Sequence, residues 1–92
     1  MSKSIIQQEK RCWFCGAVVG LEEHHIFAGT ANRKISEKYG LKVWLCHRHH
    51  TGKDGAQYDR DMNLQLKQEA QRKFEQIYSH ELWMETIRKN YL

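Results

Sequence analysis

Residues 12–15 read CWFC and residues 46–50 read CHRHH, and the fold of the chain depends on these two runs. Each run places two zinc-binding side chains three positions apart, a spacing at which a tight turn can hold both on one ion. Structural zinc takes four tetrahedral nitrogen or sulfur ligands, and two such pairs supply four. The sequence therefore predicts a closed Cys3His zinc site with the ligands Cys12, Cys15, Cys46 and His49.

The fourth ligand and the metal itself have alternatives. His47 and His50 flank His49 and compete with it for the fourth position, although the Cys-x2-His spacing favours His49. Three reduced cysteines without a metal, or a redox-active Cys-x2-Cys pair, would also explain the first run. A redox pair would leave the second run without a purpose. Zinc binding would in addition supply folding free energy, which a chain of 92 residues needs because its core is small.

The size and composition of the chain indicate one domain, residues 1–92. The chain has a mass of 11.0 kDa and is 40% hydrophobic, which fits a single small domain. The odd count of three cysteines and the polar residues after Met1 argue against a disulfide-rich secreted protein. The longest apolar run, residues 17–19, is far shorter than the roughly 20 residues of a membrane helix. We therefore expect a reduced, cytoplasmic protein without a membrane partner.

The charge is unevenly distributed along the chain. The formal net charge is +4, and residues 1–53 carry nine basic against four acidic side chains. Residues 54–92 carry six basic against seven acidic side chains. A basic half favours a polyanionic partner, most simply nucleic acid, because lysine and arginine release counterions when they contact phosphates.

The first two-thirds of the chain is predicted to form a β-β-α unit. One short strand is expected to end near residues 24–26, and a second over residues 41–45 runs directly into Cys46. A helical turn or two is expected from His47 onwards. Residues 29–40, which are mostly polar, are expected to form a connecting loop that can carry a helical turn over residues 35–39.

The C-terminal part is predicted to be helical. Apolar residues recur at helical spacing over residues 59–79, and a second helix is expected over residues 81–89. The predicted organisation has three parts: a flexible lead-in at residues 1–10, a metal-bearing β-β-α core at residues 11–58, and a helical part at residues 59–92.

A second group of histidines is left over once zinc is assigned. His24 and His25 are adjacent, and adjacent histidines follow neither the helical nor the strand period, so packing alone explains them poorly. His50 is also unused. Histidines on two separate elements predict a second metal site or a catalytic centre. The alternatives are polar strand-end residues for the pair, and a helix-cap residue or alternate zinc ligand for His50.

Three stretches together resemble a known nuclease family. They read LEEHHIF at residues 21–27, ANRK at residues 31–34 and LCHRHH at residues 45–50. The chain resembles HNH endonucleases of the ββα-metal (His-Me finger) type, and is especially similar to a small phage and prophage group related to RecA-dependent recombination-enhancement nucleases. The likeness extends to the C-terminal helix and the final Asn-Tyr-Leu. It implies a small α+β fold, with a zinc-stapled ββα-metal (HNH) finger followed by two C-terminal helices.

The resemblance implies a metal-dependent endonuclease that hydrolyses DNA phosphodiester bonds with little sequence specificity. His25 matches the general base that activates water, and Asn32 matches the asparagine of the connecting loop. His24 and His50 match the ligands of one catalytic Mg²⁺ or Mn²⁺ ion. Four basic side chains are the implied phosphate contacts: Arg33, Lys34, Lys38 and Arg48.

The same resemblance implies the partners, cofactors and cellular location of the protein. DNA is the expected partner, and a recombinase filament is a second one to consider. No small-molecule cofactor is expected beside the two metals. The expected location is the cytoplasm of a bacterial or phage-infected cell.

One departure from the family pattern concerns Gln57. Related sequences tend to carry a histidine there, and an amide supplies neither an imidazole lone pair nor a negative charge. Metal affinity or activity would fall, although Glu23 is a candidate substitute ligand. The alternative function is a catalytically weak or inactive zinc-stapled DNA-binding or recombination accessory module. A third hypothesis is a zinc-stabilised protein-interaction domain, such as a phage-encoded host inhibitor.

Overall fold

A computed structural model of the chain describes residues 4–27, 29–52, 55 and 59–92. These residues form a small α+β fold with one two-stranded antiparallel sheet and four helices, which confirms the predicted class. In chain order the elements are β1 (Leu21–His25), α1 (Thr30–Tyr39), β2 (Lys42–Cys46), α2 (His47–His50), α3 (Arg60–Ile77) and α4 (His80–Thr86).

The register of the sheet separates the two adjacent histidines. In the β1–β2 pair His24 lies opposite Val43 and His25 lies opposite Lys42. Successive side chains of a strand point to opposite faces. His24 and Val43 are buried among the core residues, whereas His25 and Lys42 share the other face of the sheet. The two histidines of the motif therefore work in different surroundings.

The connection between the strands is a ten-residue helix. The helical turn considered over residues 35–39 lies within it, but the polar loop predicted over the preceding residues was wrong. The helix lacks a side-chain N-cap because Gly29 precedes it, and its buried side chain is the hydroxyl-bearing Ser36. The Ser36 hydroxyl donates to the Phe27 carbonyl at 3.0 Å and accepts from the Phe27 N–H at 3.2 Å. Ile35 and Tyr39 of the same helix also pack against the core, although they are only partly buried.

The two C-terminal helices confirm the predicted helical part. Asp59 accepts hydrogen bonds from two backbone N–H groups of α3, and Ser79 accepts one from the Leu82 N–H of α4. The two helices pack against each other and share one hydrophobic core with the sheet. The fully buried core side chains here are Leu66, Ala70, Phe74 and Trp83, packed near Val43 and Leu45. Ile77 and Tyr78, which the helical spacing also places on the apolar stripe, are exposed.

Residues 4–7 fall in the segment predicted to be flexible, and the structure ties them to the second strand. Ile5 donates its N–H to the Gly40 carbonyl at 3.0 Å, and Ile6 is buried in the core. The Gln7 side-chain oxygen accepts from the Trp44 N–H at 2.8 Å. This segment therefore covers the edge of β2 and supports the strand that leads to the metal cluster.

Within the described ranges, no helix has the length and apolar character needed to cross a membrane.

Candidate metal centres

The four predicted zinc ligands meet at one point. The ligand atoms of Cys12, Cys15, Cys46 and His49 all lie within 4.8 Å of one another. The two ligand-bearing turns, residues 12–15 and residues 46–49, are called the first and second knuckle. They approach each other through Cys15 Sγ and Cys46 Sγ at 3.7 Å, and His49 Nδ1 lies 3.6 Å from Cys12 Sγ. A tetrahedral zinc ion needs sulfur–sulfur edges of about 3.8 Å and sulfur–nitrogen edges of about 3.5 Å. The cluster can therefore hold a metal ion such as zinc.

Local backbone geometry builds the first knuckle. The Cys12 N–H donates to the Ala17 carbonyl at 2.8 Å, and the Gly16 N–H donates to the Cys12 carbonyl at 2.9 Å. Gly16 has a φ of 78°, in the left-handed region that glycine adopts without strain. The Trp13 N–H donates to the Trp44 carbonyl at 2.9 Å. This bond holds the first knuckle against the strand that carries the second.

The sulfur atoms of the cluster influence one another's ionisation. Burial opposes ionisation of the Cys12 thiol, but backbone hydrogen bonds, led by that from Cys46, lower its pKa from 9.0 to about 6. For Cys15 a hydrogen bond from Ala17 lowers the pKa, whereas the neighbouring sulfurs and desolvation raise it overall. Three sulfurs this close repel as thiolates, and a bound cation would offset that repulsion.

The neighbours of His49 turn away from this cluster. His50 and His47 both direct Nδ1 to the carboxylate of Glu22, at 2.6 Å and 3.3 Å. Phe14 covers the His49 ring, with the ring centroids 5.8 Å apart. The fourth position of the cluster is therefore filled by His49, as the spacing predicts.

His24 and His50, the predicted ligands of a second ion, come together on the inner side of the sheet. Their ring centroids lie 5.1 Å apart in an edge-to-face arrangement. His24 is only 7% exposed, and its Nε2 has no hydrogen-bond partner among the described residues. Burial, followed by the nearby charges of His50 and His25, lowers the pKa of His24 from 6.5 to about 4. The ring is therefore neutral near pH 7 and has a lone pair to offer.

Sequence reasoning missed Glu22 as a member of this group. Its carboxylate accepts from His50 and His47, and these bonds are the main cause of its lowered pKa. The period of two in a strand places Glu22 on the same face as His24, a signal that was available in the sequence. Glu23, considered there as a substitute ligand, lies on the opposite face beside His25.

His25, the predicted general base, is bound to a carboxylate that sequence reasoning also missed. His25 Nε2 lies 2.9 Å from Glu37 Oε2, and both Glu37 oxygens lie 3.0 Å from the Lys42 ammonium. The bond to His25 and then the bond to Lys42 lower the pKa of Glu37 to about 2. Glu37 stands on α1, where the sequence indicated a helical turn at most, and its approach to His25 was not anticipated.

Some of the predicted DNA contacts gather around His25 and others do not. A cleft of about 740 Å³ is lined by His25 and Glu37 together with Arg33 and Lys34 at the start of α1. Lys38 is exposed further along that helix, and the predicted loop residue Asn32 is exposed on it as well. Arg48 is exposed on α2, and Gln57 lies outside the described residues.

Comparison with models of protein families, with curated proteins and with solved structures yields no significant match to this chain.

Proposed function

We propose that the chain is a metal-dependent endonuclease of the HNH type that hydrolyses DNA phosphodiester bonds. One observation carries the proposal: a buried histidine whose Nε2 has no partner among the described residues faces a second histidine, and the next residue of its strand, His25, lines a cleft that Arg33 and Lys34 also border. This arrangement offers a cation site and a candidate base on either side of a single strand. Under the same proposal the Cys3His cluster holds a structural zinc ion.

The residues around His24 fit a divalent ion. Leaving a buried polar atom without a partner costs about 1–3 kcal/mol, and a cation bound at His24 Nε2 would remove that cost. Glu22 accepts from Nδ1 of His50, which leaves Nε2 of His50 as its ligand atom. Carboxylates commonly orient metal-binding histidines in this way. Two imidazole ligands favour Mn²⁺ over Mg²⁺, which prefers oxygen.

The residues of the chain divide the work of hydrolysis. Arg33 and Lys34 contact the phosphates of the strand, and His25 takes the proton of the attacking water. The divalent ion, when bound, stabilises negative charge on the scissile phosphate and on the leaving oxygen. Contacts of this kind address the backbone rather than the bases, so cleavage is expected to have little sequence preference.

Plasmid cleavage tests this proposal. We expect zinc-loaded protein to nick supercoiled DNA when Mn²⁺ or Mg²⁺ is added, and His25→Ala to lower the rate by at least about 100-fold, because a general base contributes that much. The catalytic ion is omitted rather than chelated in the blank, so that the zinc stays in place. His80→Ala, which alters the exposed histidine of α4, is the matched control and should cleave normally.

The outcome separates the candidate functions. Cleavage that survives His25→Ala would remove the proposed base. DNA binding without cleavage in either metal would favour the zinc-stapled accessory module instead.

Glu22→Gln provides a second prediction for this site. The amide keeps the shape of the side chain but weakens its grip on His50, so we expect Mn²⁺ affinity to fall about 10- to 100-fold, as for other carboxylates behind a metal-binding histidine. Calorimetric titration of Mn²⁺ into zinc-loaded protein measures this change. Glu75→Gln, on the distant helix α3, should bind Mn²⁺ like the parent, and equal losses in both variants would rule out a specific role for Glu22.

A further inference from the structure

We infer that Glu37 is the positioning residue for His25, and that it fixes the imidazole so that Nδ1 is the atom that accepts the proton. The inference rests on the proposed function and extends it to a residue on α1, outside the three stretches that carry the family resemblance.

The contact with Glu37 determines which nitrogen of His25 carries hydrogen. An ionised carboxylate can only accept hydrogen bonds, so Nε2 at 2.9 Å from Glu37 Oε2 must be the protonated nitrogen in the neutral ring. Nδ1 then holds the lone pair. None of the residues in the described ranges hydrogen-bonds to Nδ1, and the ring borders the cleft that Arg33 and Lys34 also line.

A buried lysine holds Glu37 in place. The Lys42 side chain is only 5% exposed, and its ammonium lies 3.0 Å from Glu37 Oε1 and 3.5 Å from Glu23 Oε2. Lys42 stands directly opposite His25 in the sheet. The Glu37 carboxylate is therefore held by the Lys42 ammonium of β2, and it orients the imidazole of His25.

The charge of the group suits a base. Two carboxylates, Glu23 and Glu37, share one lysine beside the His25 ring. One negative charge remains to stabilise the imidazolium that forms when His25 takes a proton. An aspartate or glutamate behind a catalytic histidine acts in this way, by fixing the tautomer and stabilising the charged ring.

Kinetics on Glu37→Gln tests the role. We expect kcat for plasmid nicking to fall about 10- to 100-fold with KM little changed, since Glu37 supports the base rather than the substrate. Glu37→Asp, which keeps the charge, should recover part of that loss. Glu75→Gln removes a similar carboxylate, 2.8 Å from His80 Nδ1, on the far helices, and should leave kcat unchanged. Normal turnover by Glu37→Gln would overturn the inference and leave the proposed function standing.

The tautomer of His25 is a second readout that needs neither turnover nor a stable variant. Nitrogen-15 NMR of the zinc-loaded wild-type protein, recorded where the ring is neutral, should show hydrogen on Nε2. Hydrogen on Nδ1 instead would overturn the inference even if the protein cleaves DNA. Wild-type protein that cleaves nothing in either metal would overturn the proposed function, and the catalytic role of Glu37 with it.

Discussion

Removal of the metal from the Cys3His cluster is expected to unfold the whole chain rather than the two knuckles alone. The cluster joins the N-terminal segment to the end of β2, and Cys12 is only 2% exposed within the core. Structural zinc contributes on the order of 10 kcal/mol to small domains, about as much as the entire stability of a typical protein. Far-ultraviolet circular dichroism during titration with a zinc chelator should show loss of helix in step with zinc release.

Matched histidine variants identify the fourth ligand in the same experiment. His49→Ala should bind well below one zinc per chain and unfold at much lower temperature. His47→Ala changes the exposed neighbour that points to Glu22, and it should keep both the zinc and the fold. A chain that stays folded after complete zinc loss would contradict the prediction, as would a parent protein that purifies with no zinc.

The Cys3His cluster could be predicted from the sequence because the chemistry of the metal dictates its spacing. Two pairs of ligands, each three residues apart, leave few other purposes for thiols and imidazoles in so short a chain. The pairing of His24 with His50 was likewise anticipated, but only through the family resemblance. The carboxylate that holds His50 was not, although strand alternation places Glu22 on the correct face.

The surroundings of His25 were beyond sequence reasoning. Glu37 reaches His25 because α1 lies beside β1. The Ser36 hydroxyl anchors that helix at Phe27, and the partly buried Ile35 and Tyr39 pack against the core. Lys42 reads as one charged residue in an apolar strand, and only the antiparallel register places it opposite His25. Contacts that depend on register and helix docking leave no local pattern in the sequence.

Replacement of His24 by leucine is expected to stabilise the metal-free site while it abolishes ion binding. His24 Nε2 is buried without a partner among the described residues, so removal of the imidazole should raise the free energy of unfolding at pH 7 by about 1–3 kcal/mol. Mn²⁺ at 100 times its dissociation constant should stabilise the parent by about 2.7 kcal/mol and the variant not at all. Chemical denaturation of zinc-loaded protein, with and without Mn²⁺, measures both changes.

The stability of the folded chain should also depend on pH through His24. Because the pKa of His24 is about 4 in the folded chain and 6.5 as its ordinary value, the unfolded chain binds a proton between these values that the folded chain does not. The resulting contribution to the free energy of unfolding is complete above pH 6.5 and is lost as the pH falls towards 4, a change of about 3 kcal/mol. His24→Leu should lack this loss of stability between pH 6.5 and 4, whereas His80→Leu, at an exposed position, should keep it. Parallel pH profiles for the parent and His24→Leu would show that the ring is not buried as a neutral ligand, and would remove the support it gives to the second metal site.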